Sequence, residues 1–218
     1  MKHPRTSLLV LGLIFAMAGP AAAETWRDKV TAIAAKNLQE GLFYSHSRRD
    51  YILAKNLAAA DHVTLDEDVI FAAAYLHDMA ADSVFAEPKK DHATVGAAKI
   101  DLVLGGTDFP KAKLDKVRAA IRTHNPDGNP VGAEARYLHD ADALDNLGAS
   151  GVAWLFELVD PNGGKPTGQQ LIKNFDNTKP IEKGVLTPAG KVELARRLAE
   201  QKAFLDALRR ETDGFKTL

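Results

Sequence analysis

Helix punctuation recurs along this chain from residue 25 to residue 210, and no stretch alternates apolar and polar residues with period two. A chain so marked can bury its apolar stripes only by packing helix on helix. Thr25, with Asp28 three residues on, forms a capping box for a helix through Glu40, stopped by Gly41. Its apolar stripe is Trp26, Val30, Ile33 and Ala34. A second helix spans about 45–60 with Ile52, Leu53 and Leu57 inward. Thr64 and Glu67 form a further capping box for a helix whose Val69, Ile70, Ala73 and Ala74 lead to His77. A fourth covers 91–104 and stops at Gly105-Gly106. A fifth runs from Pro110 to His124 with Leu114, Val117 and Ile121 inward, and a sixth from Ala133 to Leu147, ending at Gly148. Residues 151–159 read as a short buried helix, and 160–168 as a Pro- and Gly-rich loop. Thr187 and Pro188 then open a long amphipathic helix through Arg210, with Leu194, Leu198, Phe204, Leu205 and Leu208 on its buried side. The expectation is an all-α helical bundle with a long C-terminal helix and no internal repeat.

The first 23 residues fall outside that pattern. Lys2 and Arg5 precede an apolar run from Leu8 to Met17, too short for a membrane span, and Ala21-Ala22-Ala23 supplies an A-x-A cleavage site. This reads as a secretory signal peptide over 1–23, with a mature domain over 24–218, exported to the periplasm and free of a membrane anchor after cleavage. That domain is large enough to bury a real core. There are no cysteines, which excludes disulfides, thiolate metal sites, cysteine nucleophiles and a lipid-anchored cysteine. The net charge of -1 carries no footprint for a nucleic acid polymer or an anionic membrane, yet leaves small phosphorylated molecules open. Oligomeric state is not legible.

Metal ligands in such a chain must be histidine and carboxylate. His77-Asp78 ends the apolar helix AAAYLHD, where an unpaired charge is costly. His46 sits in YSHSRRDY. Asp142 lies mid-helix in YLHDADALDNLG, interleaved with Leu138, Leu144 and Leu147, so its charge needs compensation. A lone histidine at a helix start or end is as often a surface residue as a ligand, so these positions weigh only together.

His46, the His77-Asp78 doublet and Asp142 within DADALD resemble the H…HD…D pattern of the HD-domain metal-dependent phosphohydrolase superfamily. DADALDNLG is similar to a segment of its small bacterial hydrolases. The motifs cover about 41–156. The resemblance implies a single HD-domain helical bundle with His46, His77, Asp78 and Asp142 as ligands of a divalent transition metal (Mn, Fe, Co, Ni or Zn). It places Asp140 on the opposite helix face. A mixed N/O set suits those ions, and such a centre acidifies a bound water and polarises a phosphoryl oxygen. Asp78 is thereby also catalytic. His92 and His124 complete an H…HD…H…H…D order, for a second ion, for contact with phosphate or with a ligand, or for a structural role.

By helical spacing Arg49 falls near His46, as a phosphate fork or a surface ion pair, and Asp145 and Asn146 share the face of Asp142, placed to orient water or a histidine. Arg118 and Arg122 oppose His124 and read as solvated. Lys89 and Lys90 read first as an ordinary charged loop and second as a guide for an anionic substrate; His62 and His139 have no motif support, although His139 flanks Asp142, where it could support a ligand. DPNGGKPTG lacks phosphate-loop spacing and reads instead as a flexible cover. The expected activity is hydrolysis of small phosphomonoesters or nucleotide-like substrates. Two alternatives are a di-iron oxygenase on the same fold and a non-catalytic metal- or ligand-binding protein.

Overall fold

The computed structural model describes residues 24–37, 42–81, 83–159, 162, 164–176 and 178–218. The proposed export signal lies outside these residues, as does the expected helix stop at Gly41. The described chain is all helical: α1 Trp26–Asn37, α2 Leu42–Ala60, α3 Glu67–Leu76, α4 His92–Leu104, α5 Leu114–Arg122, α6 Ala133–Asp145, α7 Gly148–Glu157, α8 Gly168–Leu171, α9 Lys179–Gly184 and α10 Pro188–Glu211. Among the described residues there is no strand, and no helix is long and apolar enough to cross a membrane.

Helix α3 runs through the centre of the bundle. From Val69 to Leu76 only Phe71 retains appreciable exposure. Three of those positions are alanine: Ala72, Ala73 and Ala74 are fully buried, and so are Ala141 and Ala143 of α6. Side chains this small let helix axes approach closely. Helices α2, α5 and α6 pack around α3, and α4 packs on α5. At the far end Trp26 meets Phe71 and Phe109 edge-to-face, with centroids 5.6 and 4.8 Å apart, closing the base of the core.

The Thr25–Asp28 capping box is present: the Thr25 backbone N–H donates to Asp28 at 3.0 Å, and that of Asp28 to the Thr25 hydroxyl at 3.2 Å. The second box is displaced. Asp66, not Thr64, caps α3, accepting from the N–H groups of Asp68 and Val69, because its carboxylate is also anchored by Lys113 at 2.7 Å. Helix α2 begins earlier than expected, at Leu42. The expected fifth helix starts with a single 3₁₀ turn, Lys111–Lys113, and ends at Arg122 rather than His124. Gly148 ends no helix but starts α7 with φ +72, a conformation L side chains rarely adopt.

Two expected core residues face solvent. Ile52 is 47% exposed and Phe204 47% exposed. The buried positions of α10 are Gly190 and Gln201 instead, because the helix packs on α6 and α7 through its start and middle. Gln201 Oε1 accepts from the Gly148 N–H at 3.0 Å, and Arg197 donates to the Leu144 carbonyl at 2.8 Å, closing the C-terminal end of α6.

Candidate metal centre

Helix α2 brings His46, Arg49 and Asp50 to one face, at spacings of three and four residues. Helix α3 ends at Leu76, so His77 and Asp78 sit in the turn after it and need not share one stripe. Helix α6 carries Asp142 and Asp145 on the face toward α2, His92 opens α4, and His124 follows the C-cap of α5. All of these except Arg49 and His92 are buried.

Three imidazoles are held by the same device. His77 Nδ1 lies 2.9 Å from the Ala74 carbonyl, and His124 Nδ1 2.6 Å from the Ile121 carbonyl. A carbonyl only accepts, so each Nδ1 carries its hydrogen and each Nε2 turns a lone pair to the centre. His46 Nδ1 faces Asp145 Oδ2 at 2.8 Å to the same effect. The Nε2 atoms of His46 and His77 are 3.3 Å apart, and those of His92 and His124 are 3.1 Å apart. Lone pairs facing each other so closely repel unless a proton or a cation stands between them.

The carboxylates close the centre. His46 Nε2 is 3.2 Å from Asp142 Oδ1 and 3.1 Å from Asp50 Oδ2. Asp78 lies between two groups: Oδ2 is 3.3 Å from His77 Nε2, while Oδ1 is 3.2 Å from His92 Nε2 and 3.5 Å from His124 Nε2. Donor atoms of His46, Asp50, His77 and Asp142 all fall within 4.8 Å of one another, as do those of His77, Asp78 and His124. Two donors ~2.1 Å from one ion stand ~3.0 Å apart at right angles, so the observed spacings suit a shared cation.

Electrostatics tell the same story. Burial opposes charge on His77, but Asp78 outweighs it and raises the imidazole to about 9. Burial likewise opposes charge on His46, and the Asp50, Asp142 and Asp145 carboxylates hold it well above its ordinary value. Burial pushes Asp50 up to about 8 despite His46. Asp78 and Asp142 resist the same burial and are lowered, Asp78 by His77, His124 and His92, Asp142 above all by His46. A buried cluster of this kind is neutralised either by protons on the rings or by a cation in their place.

Every residue expected near the centre except Asn146 comes together there. Asn146 turns back along its own helix, its Nδ2 donating to the Asp142 carbonyl at 2.9 Å, because it occupies the C-cap of α6. Arg49 donates from Nε and Nη2 to Asp145 at 2.8 and 2.7 Å and from Nη1 to Ser45 at 3.2 Å, so its fork is engaged with Asp145. Asp140 points away, as expected, accepting from the N–H groups of Leu186 and Thr187 at 2.9 and 2.7 Å. Arg118 pairs with Asp101 and Asp115 at the surface, and Lys90 with Glu87.

Asp50 at the centre escapes the motif reading, and His139 supports the centre from behind. Asp50 sits in SRRDY, where neighbouring arginines make it look like a solvated ion pair; its i+4 spacing from His46 was the available signal. His139 places Nδ1 3.0 Å from the His124 carbonyl and Nε2 2.9 Å from that of Gly184, tying the His124 backbone to α6 and α9.

Fold and site together define a helical protein whose buried histidine–aspartate groups are fit for a divalent metal. Residues 43–147 match the HD domain family model, so this part of the chain is an HD domain. No curated protein matches it by sequence. Among solved structures it is similar to a predicted HD-superfamily hydrolase from an uncultured Thermotogales bacterium, at 22% identity and TM-score 0.59, over 84% of this chain and 88% of that one. An HD-superfamily hydrolase from Bacillus thuringiensis matches at 21% identity and TM-score 0.61, over 86% and 96%. Bacillus subtilis YpgQ in complex with ADP matches at 18% identity and TM-score 0.59, over 86% and 98%. At these identities the likeness is one of fold.

Proposed function

We propose that the protein is an exported metal-dependent hydrolase of small phosphate esters, of phosphomonoester or nucleotide-like type, with His46, His77, Asp78 and Asp142 holding the metal. The observation that carries this reading is the convergence of imidazole Nε2 atoms and buried carboxylates into two adjoining groups that share His77, within an HD domain. A divalent cation held there supplies Lewis acidity to a phosphoryl oxygen and lowers the pKa of a coordinated water. The chain's own residues orient the site. Asp145 fixes His46 through Nδ1, and Arg49 in turn fixes Asp145. His92, the more open of the second histidine pair, stands at the edge of the centre, where it can contact phosphate or help hold a second ion. A nucleotide-like substrate is supported by the ADP complex of the structurally similar YpgQ.

The test is phosphate release from a generic aryl phosphate and from a nucleotide panel by metal-loaded protein. Activity should vanish on chelation and in Asp78→Ala and Asp142→Ala variants that remain folded. Unchanged rates in both variants would remove the reading. A di-iron oxygenase is favoured by one observation, the placement of Asp78 between the His46–His77 and His92–His124 pairs. Two irons per chain with an iron-linked absorption band, and no phosphate release, would establish that alternative.

A further inference from the structure

Asp50 is the most deeply buried carboxylate facing the centre, fully excluded from solvent, and neither of its oxygens has a hydrogen-bond partner. A buried carboxylate left in that state is costly. Its nearest polar neighbour is His46 Nε2 at 3.1 Å, followed by His77 Nε2 at 3.7 Å. Both nitrogens face the centre because the opposite ring nitrogens are engaged by Asp145 and the Ala74 carbonyl. Asp50 therefore meets lone pairs rather than N–H donors whenever these rings are neutral, and only a positive charge between them makes the arrangement favourable.

From this we infer that Asp50 is a fifth protein donor to the metal, paired with His46 as an H-x-x-x-D unit on one turn of α2. The inference rests on the metal-centre reading above and extends it. One helical turn places residues i and i+4 side by side, so the two donors reach one ion without distorting the backbone. With Asp50 the centre offers two imidazoles and three carboxylates, an oxygen-rich set that suits manganese(II). A purely structural Asp50 would instead show a donor from the surrounding helices. None is present among the described residues.

The experiment compares the full chain with Asp50→Asn, which keeps the shape, and Asp50→Val, which removes both oxygens. Manganese(II) is the probe. Affinity is read by chelator competition, stoichiometry by elemental analysis, and stability by thermal denaturation with and without the ion. The expected result is a loss of manganese affinity of about tenfold or more in both variants and a smaller manganese-induced rise in Tm. Metal-free variants should melt no lower than metal-free wild type, because an unpartnered carboxylate is gone. Unchanged affinity and an unchanged manganese-induced rise in either variant would overturn the inference while leaving the centre intact. If wild type itself bound no manganese, and Asp142→Ala were indistinguishable from it, the metal-centre reading would fall and this inference with it.

Discussion

His46 and Arg49, one turn apart on α2, grip the same carboxylate of α6. The imidazole Nδ1 is 2.8 Å from Asp145 Oδ2, and the guanidinium Nε is 2.8 Å from Asp145 Oδ1. Asp145 thus sets the tautomer of one histidine while Arg49 balances its charge through both oxygens. Asp145→Asn preserves the volume but weakens both grips. We expect metal affinity to drop by about 10–100-fold, with the helical content of the protein retained. Chelator competition alongside circular dichroism would check this, and full affinity in the variant would contradict it.

The metal-free protein should lose stability as pH rises. His77, raised from 6.5 to about 9, stabilises the fold fully below 6.5 and ceases to do so as pH passes about 9. Asp50, raised from 3.8 to about 8, acts in the same direction between those values, because the folded state holds its proton longer than the unfolded chain. Asp78 and Asp142 are lowered, so their contribution is present above 3.8 and fades only in acid. The fall in Tm of chelator-treated protein should therefore be steepest between 6.5 and about 8, where His77 and Asp50 act together. Metal binding should release protons over the same window and tighten with pH. Calorimetry in buffers of different ionisation enthalpy measures that release; a pH-independent Tm without metal would contradict the account.

Asp140 and Asp142 are two residues apart and should fail differently. Asp140 is fully buried and accepts from Leu186 N, Thr187 N and the Thr187 hydroxyl, fastening the start of α10. Asp140→Ala leaves those donors unsatisfied, and we expect a loss of about 3 kcal/mol, visible as a lower urea midpoint, with metal stoichiometry unchanged. Asp142→Ala should do the reverse, abolishing metal retention at little cost to the metal-free fold.

His92 lies 3.2 Å from Asp78 Oδ1 and 3.1 Å from the Nε2 of His124. If this pair holds a second ion, His92→Ala should reduce metal content from two ions per chain to one while leaving the His46–His77 side loaded. Elemental analysis decides it: a count unchanged by the variant assigns His92 to phosphate contact instead.

Much of the site was legible because it rests on local signals. The His77-Asp78 doublet ends an apolar helix, and Asp142 interrupts another, so each announces an uncompensated charge before any packing is known. Asp50 was not legible for the opposite reason. Its neighbours Arg48 and Arg49 imply a solvated face, and only the meeting of α2 with α6 and α3 buries it. The same nonlocal packing turned Ile52 and Phe204 outward although both sit at apolar helical spacings. Helices α8 and α9 lie in a stretch with too few apolar residues to show any period; the Thr167 capping box, confirmed by Gln170, was the one cue available.

The alanines that line α3 and α6 have a bearing on how such a protein can change over time. Because backbone proximity there depends on methyl-sized side chains, a bulkier residue at Ala73 or Ala141 would wedge the helices apart, carrying the doublet at the end of one away from the aspartates of the other. Mutational tolerance along this seam is therefore limited by the geometry of the histidine–aspartate groups as well as by folding, and drift in sequence should concentrate on the outer faces of α4 and α10.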